Sequence, residues 1–280
     1  MKFLKSKKGI ALIVVGLILV TLLIRHIYCA QNVFYTPDYD KKDILQIIKK
    51  SQLSNDDYIT IYEQTGVSPQ VAKELVENGE YELLLKLNDL YFKSPDIYKN
   101  YIAYPITAEE RNKTQKTPIV NLKKGDILVS FSTHTLDWRH GHCALVLDDE
   151  GTVLLEHMSI GNTSCVTSAK NWGKYPGFVV LRYPDTDVAT KAADYAWEYL
   201  VNIDYNIFAG IIKKDKSDEQ KPESSHCSHI VWQAYMATGI DIDRDGGPLV
   251  TPYDVAMCDE LRVVQIYGIN PEKYTQRILK

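Results

Sequence analysis

The alternation of apolar and polar positions changes midway along the chain and separates a helical half from a strand-rich half. Residues 41–93 repeat apolar side chains at the helical period of 3.6 residues. In SPQVAKELVENG, Ser68 is predicted to cap a helix, Pro69 to take its first position and Gly79 to end it. Residues 94–120 contain three prolines and a polar run, which predict a connector.

Strands alternate with short turns from residue 123 onward. Apolar runs and period-two alternation predict five strands, which fall in GDILVSF, HCALVLD, TVLLEH, GFVVLRYP and RVVQIYG. Two helices lie among them. One is TDVATKAADYAWEYLV, capped by Thr186 or Asp187, and the other follows a cap at Ser224 or Ser225. Helices and an antiparallel sheet in segregated runs indicate the α+β class.

The N-terminus combines basic residues with a long apolar run. Residues 10–24 are apolar and Arg25 closes the run, which is preceded by Lys2, Lys5, Lys7 and Lys8. The pattern predicts a signal anchor over residues 1–30, that is, a single membrane segment with the rest of the chain outside the cytoplasm. The alternative is a cleaved signal peptide, which would release a secreted protein.

Charge and cysteine count narrow the classes of function. The 280-residue chain is 45% hydrophobic and 24% charged, as in an ordinary globular protein. Without the five basic residues of the first 25, 27 of the 32 basic residues remain against 36 acidic ones, a net charge of −9. Nucleic-acid binding needs clustered Lys and Arg, so we expect no nucleic-acid partner. Five cysteines without framework spacing make a disulfide-stapled domain unexpected.

Cys227 lies where an apolar helix is predicted to begin. In SSHCSHIVWQAYMATG it falls in the first turn, and Gly239 ends the helix. The dipole and the free N–H groups of a first turn favour an anion and lower the pKa of a thiol. Ile230, Val231 and Ala234 share the Cys227 face, so the helix is expected to pack on the sheet. An isolated cysteine there is more often a core thiol, and a nucleophile needs a nearby base.

A hairpin supplies that base and a group to orient it. His142 opens a strand, and a three-residue loop ending at Gly151 would close the hairpin. That register puts Glu156 opposite Ala144 and on the His142 face, whereas a loop one residue longer or shorter would put His157 there. Cysteine, histidine and an orienting group are the parts that thiolate acyl transfer requires.

A zinc site is the alternative reading of these residues. Seven side chains in the region are suitable zinc ligands, namely His140, His142, Cys143, His157, His226, Cys227 and His229. The pattern HxH followed by HCSH matches no standard zinc spacing, so we predict neither a metal nor another cofactor. Cys143 is expected in the core, and Cys165 and Cys258 are expected to be structural.

The order of the motifs resembles a known family. GDIL, GHCALVL with VLLEH, HCSHIVWQAY and VTPYDVA are similar to the permuted YaeF/YiiX-like branch of the NlpC-type papain-like superfamily. The resemblance implies a circularly permuted papain-like fold over residues 121–280, after a helical appendage and connector at 31–120. It makes Cys227 the nucleophile, His142 the base and Glu156 the orienting group. It also puts Tyr205 near the active site, where it could hold an oxyanion or pack as an ordinary aromatic.

The resemblance implies an extracytoplasmic cysteine peptidase or amidase that acts on a peptide or acyl substrate. Peptidoglycan stem peptide is the first candidate. Lipid amides or esters are the alternative within the enzyme class, through hydrolysis or acyl transfer. A non-catalytic binding module of the same fold is the alternative outside it, and a thiol no more reactive than free cysteine would favour that module.

Overall fold

The computed structural model describes residues 7–29, 34–103, 106–112, 116–135, 138–211 and 222–278. Lys2 and Lys5 of the predicted anchor, and most of the polar loop before Cys227, lie outside the described residues. The chain is α+β and its main sheet is antiparallel, which confirms that part of the predicted fold class.

The helices of the first half are where the apolar period predicts them. Ser68 precedes Pro69 at the helix start, and Gly79 follows the helix end with a φ of 75°. The helix predicted to begin at Thr186 or Asp187 has Asp185 as its cap instead, because the Asp185 carboxylate accepts from the two N–H groups of the first turn. Helices within the described residues are α1 Lys7–Cys29, α2 Leu45–Ile48, α3 Asn55–Thr65, α4 Pro69–Glu77, α5 Tyr81–Tyr91, α6 Thr186–Tyr195, α7 Cys227–Met236, α8 Pro252–Ala256 and α9 Thr275–Ile278.

Six strands form the central antiparallel sheet, in the spatial order β12-β9-β3-β6-β7-β8. All five strands predicted from the sequence belong to it. Two smaller sheets are a four-stranded one, β1-β2-β4-β5, and a two-stranded parallel one, β10-β11. The strand bounds are β1 Ile97–Ala103, β2 Ile106–Arg111, β3 Ile127–Ser130, β4 Thr133–Thr135, β5 Trp138–Arg139, β6 His142–Val146, β7 Val153–Glu156, β8 Cys165–Ser168, β9 Phe178–Arg182, β10 Asp204–Tyr205, β11 Ser224–Ser225 and β12 Arg262–Tyr267.

The central sheet is covered on both faces. Cys143 and Leu145 of β6 contribute to a core shared with α6, α7 and α8. Their neighbours Ala144 and Val146 project to the opposite face, where they join a second core with the helices α2 to α5. The helical first half therefore packs directly on the sheet and buries one of its faces.

Helix α7 is buried on almost every side. The sequence pattern predicts one apolar face, but Ser228, His229 and Trp232 are buried as well. Neither predicted serine caps the helix, because Ser224 and Ser225 pair with Asp204 and Tyr205 as β11 and β10. His226 is the cap residue.

The connector predicted at residues 94–120 contains a β-hairpin. Strands β1 and β2 pair with each other, and β2 continues the sheet through β4, next to the start of β6. The pattern of apolar residues did not predict this hairpin, because the hairpin buries charged residues. Glu109 and Glu110 are both buried, and each carboxylate is paired with a cation, Arg139 and Lys174 respectively.

The predicted membrane segment and localisation are wrong. Within the part of the chain that the structure describes, no helix has the length and apolar character that a membrane crossing requires. This finding overturns the single-pass anchor predicted over residues 1–30 and the membrane location that followed from it.

Candidate active site

His142 is fixed at the start of β6 by the glycine before it. Gly141 has a φ of 81°, in the left-handed region that favours glycine. A Cβ atom at this position would lie 2.8 Å from the carbonyl oxygen of Ser130 and 3.0 Å from Pro252. The backbone can therefore approach β3 and α8 closely only with glycine here, and His142 enters the sheet directly opposite Ser130.

Glu156 stands beside His142, as the predicted hairpin register requires. Ala144 pairs with Glu156 across β6 and β7, which confirms the register. The Nε2 atom of His142 donates a hydrogen bond of 3.0 Å to Oε1 of Glu156. Both side chains are buried, with exposed fractions of 4% and 7%. His157 projects to the other side of the strand, where its Nε2 lies 3.4 Å from the carbonyl oxygen of Asn162.

Two residues that the sequence did not suggest hold the Glu156 carboxylate. The indole Nε1 of Trp172 donates to Oε1 at 2.8 Å, and the Thr167 hydroxyl donates to Oε2. The Trp172 ring also stacks on the His142 imidazole, with a centroid separation of 5.6 Å and an interplanar angle of 21°. These contacts hold the Glu156 carboxylate in the orientation in which it binds His142.

Cys227 is the first residue of α7 and meets His142 at the end of the sheet. Burial raises the pKa of its thiol, but hydrogen bonds with His142 and His226 outweigh burial and hold that pKa well below its usual value. The Nε2 of His142 is occupied by Glu156, so Nδ1 is the nitrogen left to face the sulfur.

The pKa values of His142 and Glu156 are shifted in the directions that stabilise a Cys227 thiolate. Burial disfavours the charged imidazole, but hydrogen bonds with Cys227 and Glu156 raise the pKa of His142 to about 9. Burial would raise the pKa of Glu156. Hydrogen bonds, of which the bond with His142 contributes most, outweigh burial and hold that pKa below its usual value. The three shifts favour a Cys227 thiolate, a His142 imidazolium and an ionised Glu156 near neutral pH.

A cavity of about 330 Å³ opens beside Cys227. Its wall is mostly apolar or aromatic and includes Trp138, Ile160, Tyr205, Ile207, Leu249 and Tyr253. Trp138 and Ile160 are 62% and 66% exposed at the same time, so the apolar surface continues outward from the cavity. A bound molecule would therefore meet the sulfur at the end of a largely apolar channel.

Tyr205 lines this cavity and also packs as an aromatic. Its ring meets His157 edge-on, with a centroid distance of 4.9 Å. Burial raises the pKa of the phenol, and the Cys227 charge raises it further, so the hydroxyl stays protonated. Both readings of Tyr205 from the sequence are compatible with this position.

The other sulfur and imidazole groups of the region have separate surroundings. Cys143 and Cys258 are buried and Cys165 is exposed, and burial raises the thiol pKa of all three. His229 lies near Ser225, with 3.0 Å between Nδ1 and the hydroxyl. Within the described residues, these sulfur and imidazole groups form no set of three ligand atoms close enough to share a metal ion.

Carboxylates form a group that the sequence reading missed. Asp243, Asp245 and Asp254 place one oxygen each within 4.8 Å of one another, where the loop after α7 meets the first turn of α8. The DxDxDG pattern at residues 241–246 was the available signal. Asp254 already accepts from the Thr251 backbone N–H in a capping box at the start of α8.

Comparison of the chain with family models, with curated proteins and with solved structures finds no match. The likeness of its motifs to permuted papain-like enzymes therefore stays a prediction.

Proposed function

We propose that this protein is a cysteine hydrolase in which Cys227, His142 and Glu156 act as nucleophile, base and orienting group. The observation that carries the proposal is the buried arrangement of the three side chains. A thiol with a strongly lowered pKa faces an imidazole whose other nitrogen is bound to a carboxylate at 3.0 Å. Thiols lacking a function are normally buried among apolar atoms, where their pKa rises, as for Cys143.

The reaction follows from these groups. The Cys227 thiolate attacks a carbonyl carbon, and the electron pair of the carbonyl π bond moves to oxygen. When the tetrahedral intermediate collapses, the bond to the leaving group breaks and the His142 imidazolium gives that group its proton. Water then attacks the thioester after losing a proton to His142, and Cys227 is released as the acid is formed. Glu156 keeps the imidazole oriented throughout and stabilises its charged form.

The substrate class is proposed from the cavity together with the motifs. The motif resemblance favours an amide, with cell-wall stem peptide as its first candidate. The apolar wall formed by Trp138, Ile160 and Ile207 supports a second candidate, an ester or amide with an apolar acyl chain, because burying such a chain contributes about 25 cal/mol per Å². A stem peptide is polar and charged, and this wall offers it few partners.

Trapping the acyl-enzyme tests the proposal. The purified full-length protein is mixed with p-nitrophenyl octanoate, p-nitrophenyl acetate or cell-wall peptide fragments, then quenched and analysed by peptide mass spectrometry. We expect an acyl adduct on Cys227, formed faster from octanoate than from acetate, and no adduct in the Cys227→Ala variant. Acylation elsewhere, or at equal rates in both proteins, would remove the basis for the hydrolase. If Cys227 releases the leaving group from peptide fragments faster than p-nitrophenol from the ester, the substrate is the amide.

A further inference from the structure

His226 immediately precedes Cys227, and its imidazole caps the helix that carries the sulfur. Its Nδ1 accepts a hydrogen bond from the backbone N–H of His229 at 3.4 Å. The Ser228 hydroxyl also lies 3.4 Å from Nδ1, but it donates its proton to the carbonyl oxygen of Val250 at 2.8 Å. Histidine is an uncommon cap, since Ser, Thr, Asp and Asn are preferred in this position.

The cap fixes which nitrogen of His226 carries the proton. Nδ1 accepts from a backbone N–H, so it must present a lone pair, and the neutral ring then carries its hydrogen on Nε2. A proton on Nδ1 would point at the N–H of His229 and leave both donors without an acceptor. Nε2 of His226 is therefore a donor.

That donor is buried beside the sulfur, and among the residues that the structure describes it has no acceptor other than the reacting centre. His226 is 6% exposed and its ring lines the cavity next to Cys227. Among the described residues, its Nε2 has no nitrogen or oxygen within hydrogen-bonding geometry. The hydrogen bond of His226 at rest is with the Cys227 sulfur, so this donor serves the reacting centre and not the surrounding fold.

His140 lines the same cavity and shows the ordinary alternative. Its Nδ1 lies 2.7 Å from the carbonyl oxygen of Gly141, and its Nε2 lies 2.9 Å from the hydroxyl of Thr135. Both nitrogens are thus engaged by the protein itself. Of these two imidazoles, only that of His226 has a nitrogen that no nitrogen or oxygen atom of the described residues engages.

We propose that His226 is a catalytic residue whose Nε2–H donates a hydrogen bond to the oxyanion formed when Cys227 attacks a carbonyl carbon. The inference rests on the hydrolase function proposed above. As the sulfur–carbon bond forms, the carbonyl π electrons become a lone pair on oxygen, and a donor already in place stabilises that charge without reorganising. The backbone N–H of Cys227, in the first turn of α7, has no partner within the helix and supplies the second donor.

The same imidazole serves the resting enzyme and the intermediate in succession. At rest it lowers the pKa of the Cys227 thiol. During attack the negative charge moves from the sulfur to the carbonyl oxygen, and the Nε2–H of His226 then donates its hydrogen bond to that oxygen. No proton is transferred at His226, which separates its role from that of His142.

Two substitutions separate the donor from the cap. The side-chain oxygen of asparagine can occupy the place of Nδ1, so His226→Asn keeps an N-cap and removes the cavity donor. The amide nitrogen of glutamine can occupy the place of Nε2, so His226→Gln keeps a donor and weakens the cap. His140→Gln is the matched control in the same cavity.

Two rates are measured for each protein. One is the single-turnover acylation of Cys227 by p-nitrophenyl octanoate, which passes through an oxyanion. The other is alkylation by iodoacetamide at a pH where the thiol is fully ionised, which forms none. General damage to the thiol or the fold lowers both rates and leaves their ratio unchanged. The thermal unfolding temperature measures how much the cap stabilises the protein.

We expect His226→Asn to lower acylation by roughly 10²-fold, the usual loss for one oxyanion donor, while alkylation stays close to wild type. His226→Gln should recover most of the acylation rate and unfold at a lower temperature. His140→Gln changes the same cavity at a ring whose two nitrogens both have protein partners, so it should lower the ratio far less than His226→Asn. Equal falls in both rates for His226→Asn would show a general loss of Cys227 reactivity and overturn the proposal, as would failure of glutamine to restore acylation. If wild-type Cys227 is not acylated at all, the hydrolase function itself fails.

Discussion

The two sides of Cys227 are built in opposite ways. On the sheet side, His142 and Glu156 are buried, paired at 3.0 Å and held in turn by Trp172 and Thr167. On the cavity side, exposed apolar side chains such as Trp138 and Ile160 surround open space, and Nε2 of His226 has no nitrogen or oxygen partner among the described residues. The sheet side is complete without a substrate, whereas the cavity side is completed by one. We infer that the sheet side activates the Cys227 thiol, whereas the cavity side binds the substrate and the oxyanion formed from it.

The largest expected effect comes from breaking the sheet side at Glu156. Glu156→Gln removes the charge that stabilises the His142 imidazolium and should lower kcat on the octanoate ester on the order of 10²–10⁴-fold, with the fold retained. His157→Ala, one residue further along the chain, should change kcat far less, because His157 faces away from His142. Steady-state kinetics with circular dichroism spectra of both variants check this ranking. The reverse ranking would mean that Glu156 does not orient the base.

A smaller effect is expected at Trp172, whose indole N–H holds the Glu156 carboxylate. Trp172→Phe keeps an aromatic ring against His142 but removes the N–H that binds Glu156, so kcat should fall about tenfold with KM unchanged. The alkaline limb of the kcat/KM profile reports the free enzyme and lies near pH 9, because the leaving-group acid is protonated His142. It should move to lower pH as the imidazolium loses support. An unchanged limb together with a raised KM would place Trp172 on the substrate side instead.

The apolar wall of the cavity should give the smallest effect and a different kinetic signature. Trp138→Ala removes apolar surface from the wall, so KM for p-nitrophenyl octanoate should rise about tenfold or less while kcat is kept. Hydrolysis of the acetate ester should be nearly unchanged, since its acyl group is too short to use that surface. Equal loss on both esters would contradict a role for Trp138 in acyl-chain binding.

The parts of the site that the sequence predicted are those encoded locally. The hairpin that brings Glu156 beside His142 follows from a three-residue loop and strict alternation, and the start of the Cys227 helix follows from its apolar run. These features depend on residues close together in the chain. A period-two pattern fixes which side chains share a face, so the partner of His142 could be named before its contacts were known.

The parts that the sequence did not predict depend on distant or atypical residues. Trp172 reaches Glu156 from a short helical turn after β8, a strand whose residues are largely exposed and give no apolar alternation. Histidine is a rare cap, so His226 was passed over in favour of two serines that instead pair in a parallel ladder. The β1–β2 hairpin was missed because it buries carboxylates by pairing them with cations, which a hydrophobic pattern cannot detect.

The most direct test of the central claim, a Cys227 thiolate maintained by His142, is the pH dependence of thiol alkylation. Iodoacetamide labelling is followed by peptide mass spectrometry, so that Cys227 is resolved from the exposed Cys165. In the wild type, the Cys227 rate should reach its plateau well below pH 8.5, because the thiol pKa is lowered, and Cys227 should label fastest near neutral pH. In His142→Ala, the midpoint should move up to ~8.5 or above, since burial then acts with less opposition, and EDTA should change neither profile. A Cys227 profile that ignores the loss of His142 and responds to EDTA would contradict the account.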